Sequence, residues 1–285
     1  GSYNTAMGVQ ALYSNTTGNY NVALGRDALY ANTTANDNTA VGYQTLYTNT
    51  TGNLNVALGN QALYSNTTGA GNVTLGYQAL KSNTTAANNI AVGYQALLDN
   101  TTGANNVAVG RDALANNTTG PYNVAVGNSA LLNNTTGTQN VAVGYTALDA
   151  MLTGSYNTAL GNGALSANTS GPGNVAVGYN AMGTGTGSNG DNVAVGKDSL
   201  AVNTGANNTA IGSSAGSTLT TGSNNTLLGY DAEPSSATVS NEVTIGNASV
   251  TTVRMGNGDV VYPAAGGGKI LQVLQVQKTD VFTTT

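Results

Sequence analysis

A glycine closes an Asn-x-Ala-apolar-Gly segment every 17 residues, at Gly8, Gly25, Gly42, Gly59, Gly76, Gly93, Gly110, Gly127, Gly144, Gly161 and Gly178. The register continues with small slips through Gly196, Gly212, Gly229 and Gly246. A strict internal repeat overrides the prior that a chain of this length folds into one or two globular domains, and each repeat reads as one turn of a solenoid. The consensus is Asn-Val-Ala-Val-Gly-Tyr-Gln-Ala-Leu-x-x-Asn-Thr-Thr-Gly-x-x. Residues 1–246 therefore form an all-β, parallel β-roll or β-solenoid of about fifteen coils.

In Asn106-Val107-Ala108-Val109-Gly110, alternation along an extended strand sends the two valines to one face and Ala108 to the other. The Val/Leu face suits the inside of a coil, and the small Ala/Gly face would then allow close approach by a neighbouring chain. Ala113-Leu114 opens a second short apolar segment, so each coil is expected to hold two strands. Asn117-Thr118-Thr119-Gly120 has the chemistry of a turn between them. A helix over 94–100 is excluded by length, because only about seven residues separate Gly93 from the Thr-Thr turn.

The Asn four residues before each closing Gly recurs in every coil, including Asn21, Asn55, Asn72, Asn106, Asn140 and Asn174, until Glu242 replaces it. Stacked at the strand spacing of about 4.8 Å, these amides form a ladder in which each one donates to and accepts from its neighbours. The glycines Gly25, Gly59, Gly76, Gly110, Gly144 and Gly178 form a structural column beside it. A second Asn ladder runs through Asn15, Asn32, Asn49, Asn66, Asn83, Asn100, Asn117 and Asn134 and lapses at Met151. A thin coil whose small outer face is apolar needs a partner, and a parallel homotrimer joined through the Ala/Gly faces supplies one.

Composition removes several function classes. The chain has no His and no Cys, so Ser-His or Cys-His catalysis and thiolate metal sites are out of reach. Seven basic residues are scattered singly against a net charge of −5, which argues against nucleic acid. No apolar run is long enough to span a bilayer as a helix. The only close carboxylates, Asp231 and Glu233, precede Pro234 and read as a turn rather than a glycosidase pair. Calcium coils would need an Asp in nearly every turn. No cofactor, no metal and no enzymatic activity are expected.

Tyr43, Tyr77, Tyr94, Tyr145 and Tyr179 share the position after the closing Gly, where Arg26, Arg111 and Lys197 also occur. This column could stack on sugars or shield the edge of the core. The Asn-Thr-Thr sequons read as turns rather than glycosylation sites. An ice-binding solenoid is disfavoured, since adjacent threonines of an extended strand point to opposite faces.

The segment Asn-Val-Ala-Val-Gly-x-x-Ala, at 106–113 and 140–147, resembles the head repeats of trimeric autotransporter adhesins, over residues 1 to about 246. The resemblance implies a left-handed parallel β-roll and a trimer. The constant Thr-Thr-Gly turn and longer repeat depart from that pattern. Glu242-Val243-Thr244-Ile245-Gly246-Asn247-Ala248-Ser249-Val250, Val253-Arg254-Met255-Gly256 and Gly258-Asp259-Val260-Val261-Tyr262-Pro263 resemble the neck segments of bacteriophage tail fibres. Gly267-Gly268-Lys269-Ile270-Leu271-Gln272-Val273, with Lys278-Thr279-Asp280, resembles the opening of a tail-fibre distal module. Expected boundaries are a shaft at 1–246, a β-rich neck and linker at 247–265, and the start of a distal β module at 266–285, the whole being a fragment of a longer polypeptide. The implied function is a virion tail-fibre shaft that projects a receptor-binding module for host attachment. Other tail or appendage proteins and a host surface glycan or protein are the implied partners. The alternative is a bacterial adhesin head that binds through its repeats.

Overall fold

The computed structural model describes residues 1–185 and 190–250, together with the backbone of 252–255 and 258–261. Fifteen strands, β1 (Thr5–Met7) to β15 (Val243–Ile245), pair in sequence order in one sheet, and every pairing is parallel. β7 (Val107–Val109) lies between β6 (Ile90–Val92) and β8 (Val124–Val126), with Ala91, Ala108 and Ala125 in register. Each coil thus contributes one strand of three residues, and no helix occurs among the described residues. At about 4.8 Å per coil the stack is on the order of 70 Å long. The chain is a β-solenoid with coils of about 17 residues.

The expected inner and outer faces are reversed. Ala23, Ala40, Ala57, Ala108 and Ala176, at the strand centres, are wholly buried. Their flanking residues face outward: Val22 is 37% exposed, Leu24 39% and Leu160 48%. The reason is the opposite wall of the coil. Leu29, Leu46, Leu63, Leu97 and Leu114 project into the interior and are buried completely, so the strand centre has room only for a small side chain, Ala in most coils and Thr74 in one. Two variant positions make the same point by exchanging sizes. At the strand centre of β14 (Thr226–Leu228), Leu227 stands where most coils carry Ala, and Gly216 stands where most carry Leu. A Cβ on Gly216 would sit 2.6 Å from Leu227 Cδ1, so the two substitutions compensate across one layer.

The expected second strand is also replaced by something else. In the coil of β7, Asp112, Leu114 and Tyr122 have φ values of 55°, 52° and 61°, a left-handed conformation uncommon for residues with side chains. Alternating it with ordinary turn residues swings successive N–H groups along the rod axis. Asp112 N–H donates back to Tyr94 O at 2.9 Å, and Leu114 N–H donates forward to Ala130 O at 3.0 Å. The turn region therefore bonds to both neighbouring coils, as a strand would, without being one.

The closing glycine is needed where the strand ends. Gly110 has φ of 139°, and a Cβ there would lie 2.4 Å from Gly127 O of the next coil. The same close contact recurs at Gly25, Gly59, Gly76, Gly144 and Gly178. Spacing of strand starts is 17 residues until Val175, then 18 to Val193 and 16 to Thr209, after which it resumes. The short step reflects a turn reduced to Asn203-Thr204-Gly205.

Past the solenoid, β16 (Thr252–Met255) and β17 (Gly258–Val261) pair antiparallel, Thr252 opposite Val261. The expected neck and linker at 247–265 falls only partly within the described residues, and the expected distal β module at 266–285 lies outside them.

Candidate functional site

Among the described residues no cleft concentrates chemistry, and the candidate sites are the side-chain columns that a repeating coil creates. The first Asn ladder is continuous. Each member's backbone N–H donates to Oδ1 of the Asn one coil before, from Asn21 onto Asn4 through Asn225 onto Asn208, at 2.8–3.1 Å. Glu242 N–H completes the series on Asn225 Oδ1. The same Asn also clasps its own coil shut: Asn106 Nδ2 donates to Gly120 O at 2.9 Å, and Asn140 Nδ2 to Gly154 O at 2.8 Å. Asn21, Asn55, Asn72, Asn106, Asn140 and Asn174 are all fully buried, as a ladder at an interior corner requires.

The second ladder joins side chain to side chain. Asn117 Nδ2 donates to Asn100 Oδ1 at 2.7 Å and to Gly120 O at 3.0 Å. Its expected lapse at Met151 is partial: Met151 is buried in the vacated slot, and Asn168 occupies the slot again in the next coil. Leu219 is buried at the same position further on. Because Met151 cannot donate, Asn134 Oδ1 is left without a partner. Asn203, between Gly185 and Leu219 in this column, has both Nδ2 and Oδ1 unpartnered while only 4% exposed.

Two further columns escaped the sequence reading. Gln44, Gln61, Gln78 and Gln95 form an amide ladder, Nε2 to Oε1 at 3.0–3.2 Å. Tyr13, Tyr30, Tyr47 and Tyr64 form a ring stack with centroids 5.0–5.3 Å apart. The signal was the 17-residue spacing itself, obscured because each column covers only part of the rod.

The tyrosines after the closing Gly divide into two groups. Tyr77 and Tyr94 stack at 5.3 Å, Arg111 lies 5.8 Å over Tyr94, and Arg26 lies 5.8 Å over Tyr43. Their ring faces are covered by one another or by guanidinium groups. Tyr145 and Tyr179 have no such neighbour among the described residues. The basic residues of this column pair locally, Arg26 with Asp27 at 3.4 Å, Arg111 with Asp112 at 3.0 Å and Lys197 with Asp198 at 3.7 Å.

The acidic residues near 231–242 are bound locally within the last coils of the sheet. Glu233, at the position of the buried Leu in other coils, accepts from the backbone N–H and hydroxyl of both Ser217 and Thr218. Glu242 accepts from Ser235 N–H at 2.8 Å, from the Ser235 hydroxyl, and from Thr244 Oγ1 at 3.1 Å. Asp231 takes a turn position with φ of 53°. Among the described residues, no three ligating side chains converge in a way that could hold a metal ion. Burial of Asn32, Asn66 and Asn117 leaves their sequon amides no room for a glycan. Thr118 Oγ1 donates to Thr135 O at 2.9 Å, so one hydroxyl of each Thr pair is bound to the next coil, and Thr119 is the more exposed of the two. A flat double row of free hydroxyls, as ice binding would want, is not formed there.

No protein-family model matches the chain, and no curated protein is significantly similar to it.

Proposed function

We propose that this chain is the non-enzymatic shaft of an extracellular fibre, of the phage tail-fibre kind, that assembles as a parallel homotrimer and projects a receptor-binding module toward a host surface. The observation that carries this reading is the outer face of the sheet. Its two columns, Val22, Val56, Val107 and Val141 on one side, with Thr39, Thr158, Thr209 and Thr226 among them, and Leu24, Leu58, Val109 and Val143 on the other, are uncharged and partly exposed along the rod. Two columns about 10 Å wide along some 70 Å give on the order of 700 Å² per chain, which a trimer would divide between two neighbours. Isolated soluble surfaces seldom leave so long an apolar stripe in water. The trimer face proposed is therefore this Val/Leu stripe, because the alanines first expected there are inside.

A rod whose interior is filled by methyl groups, leucines and ladders is suited to holding other parts at a distance. The bound carboxylates Glu233 and Glu242 are consistent with a polar cap near the end of the coil stack, as solenoids require for solubility. A left-handed coil and the adhesin-like family membership belong to this proposal. The test is native mass spectrometry with negative-stain imaging. A mass of three chains and a straight rod are expected, and Val107→Lys with Val109→Lys should release folded single chains. Globular monomers in the unsubstituted protein would overturn it.

A further inference from the structure

We propose that the rod itself carries a slot for a neutral saccharide, formed by Tyr145 and Tyr179 facing each other across Asn162. The proposal is independent of what the rod projects. These three residues occupy one column in three successive coils. Tyr145 and Tyr179 are each 57% exposed, against 43% and 46% for the mutually stacked Tyr77 and Tyr94 of the same column. The difference follows from the uncovered ring faces.

The Tyr77–Tyr94 pair sets the orientation the column imposes: rings 13° from parallel, with centroids one coil apart, present their faces along the rod. Held in that orientation, Tyr145 and Tyr179 face each other across two coil rises, about 9.6 Å. Aromatic faces stack on a second ring at centroid distances of about 4.5 Å and above, so the gap takes one intervening ring and no more. A pyranose presents axial C–H groups to both tyrosines while its hydroxyls point out between them. Asn162 is short and exposed and shares the column one coil from each tyrosine, so its amide could both donate to and accept from a hydroxyl held between them.

Gly163 deepens the slot. Other coils carry Gln, Asp, Ser, Thr or Asn at that position, and a Cβ on Gly163 would meet nothing nearer than Ser166 Oγ at 4.0 Å. The flanking residues Thr146 and Asn180 are uncharged, and Asn180 Nδ2 already engages Asp198 Oδ1 at 2.9 Å. An uncharged slot favours a neutral hexose over a sialylated or sulfated one.

Saturation-transfer NMR with cellotetraose, laminaritetraose and chitotetraose tests the site. Transfer from tyrosine protons to at least one of the three, with millimolar affinity, is expected. Asn162→Tyr should fill the gap with a third ring and abolish the transfer while leaving the thermal midpoint unchanged or higher. Tyr179→Ser should weaken binding about tenfold, and Tyr94→Ser should leave it intact. Absence of transfer to all three sugars overturns the proposal. Binding that survives Asn162→Tyr, or that is lost equally with Tyr94→Ser, overturns it as well.

Discussion

Two corners of the same coil are lined by asparagine, yet one keeps it in every coil from Asn4 to Asn225 and the other accepts Met151, Gly185 and Leu219. The difference lies in what each amide bonds. At the first corner, Asn106 Oδ1 receives the backbone N–H of Asn123 at 2.8 Å, a buried donor with no other partner nearby. At the second, Asn117 Oδ1 receives only the side chain of Asn134, at 2.9 Å. The carbonyl both corners share, Gly120 O, has two donors and can lose one. Removing a side chain that satisfies the backbone leaves a permanent orphan, whereas two facing side chains can be replaced by apolar groups of similar volume with little loss. Polar ladders of similar appearance thus differ in how far the backbone depends on them.

The largest expected effect breaks the first corner. Asn106→Leu should destabilise the surrounding coils by about 2–3 kcal/mol, seen as earlier urea unfolding and faster amide exchange around Asn123. Asn117→Leu, in the same coil, should cost only about 1 kcal/mol because its main consequence is an unpartnered Asn100 Oδ1. Equal losses for the two variants would remove the distinction. Asn203→Leu should go the other way, gaining about 1 kcal/mol, since two buried orphaned atoms give way to a residue type already seated at Leu219. A loss at Asn203 would mean that its amide has a use the ladder does not explain.

The smallest effect concerns the coil that carries Met151. Burial raises the Asp149 carboxyl above its ordinary value of 3.8, outweighing hydrogen bonds from the backbone of Asp149 and Ala150 that lower it. The folded chain therefore binds that proton more tightly than the unfolded chain. Its stabilising contribution is complete below the unfolded pKa and is lost as pH rises through the folded one. Asp149→Asn should accordingly be slightly more stable than the parent at neutral pH and indistinguishable from it near roughly pH 3. Thermal melts at the two pH values check the sign.

Much of this architecture is legible because it is periodic. The Asn column from Asn4 to Asn225, the glycines at the strand ends and the Thr-Thr turns each repeat at the coil length, and stacking follows from that alone. The face assignment was not legible. Hydropathy ranks Val above Ala and places valine inside, but burial depends on available width, and Leu114 from the opposite wall had already filled the coil. The Tyr13–Tyr64 stack and the Gln44–Gln95 ladder were present as spacings, although each spans too few coils to stand out from a polar surface.

Sequence by itself determined the repeat, its parallel stacking, the amide corner from Asn4 to Asn225 and the absence of histidine and cysteine chemistry. Tertiary structure alone decided which face is interior, why Leu114 adopts a left-handed backbone, and which tyrosines keep an open ring face. A repeat length fixes what lies above what, whereas inside and outside depend on how a closed 17-residue loop shares its narrow interior among opposing side chains. The exchange of Leu227 and Gly216 shows that sharing directly: where one wall gains bulk, the other gives it up.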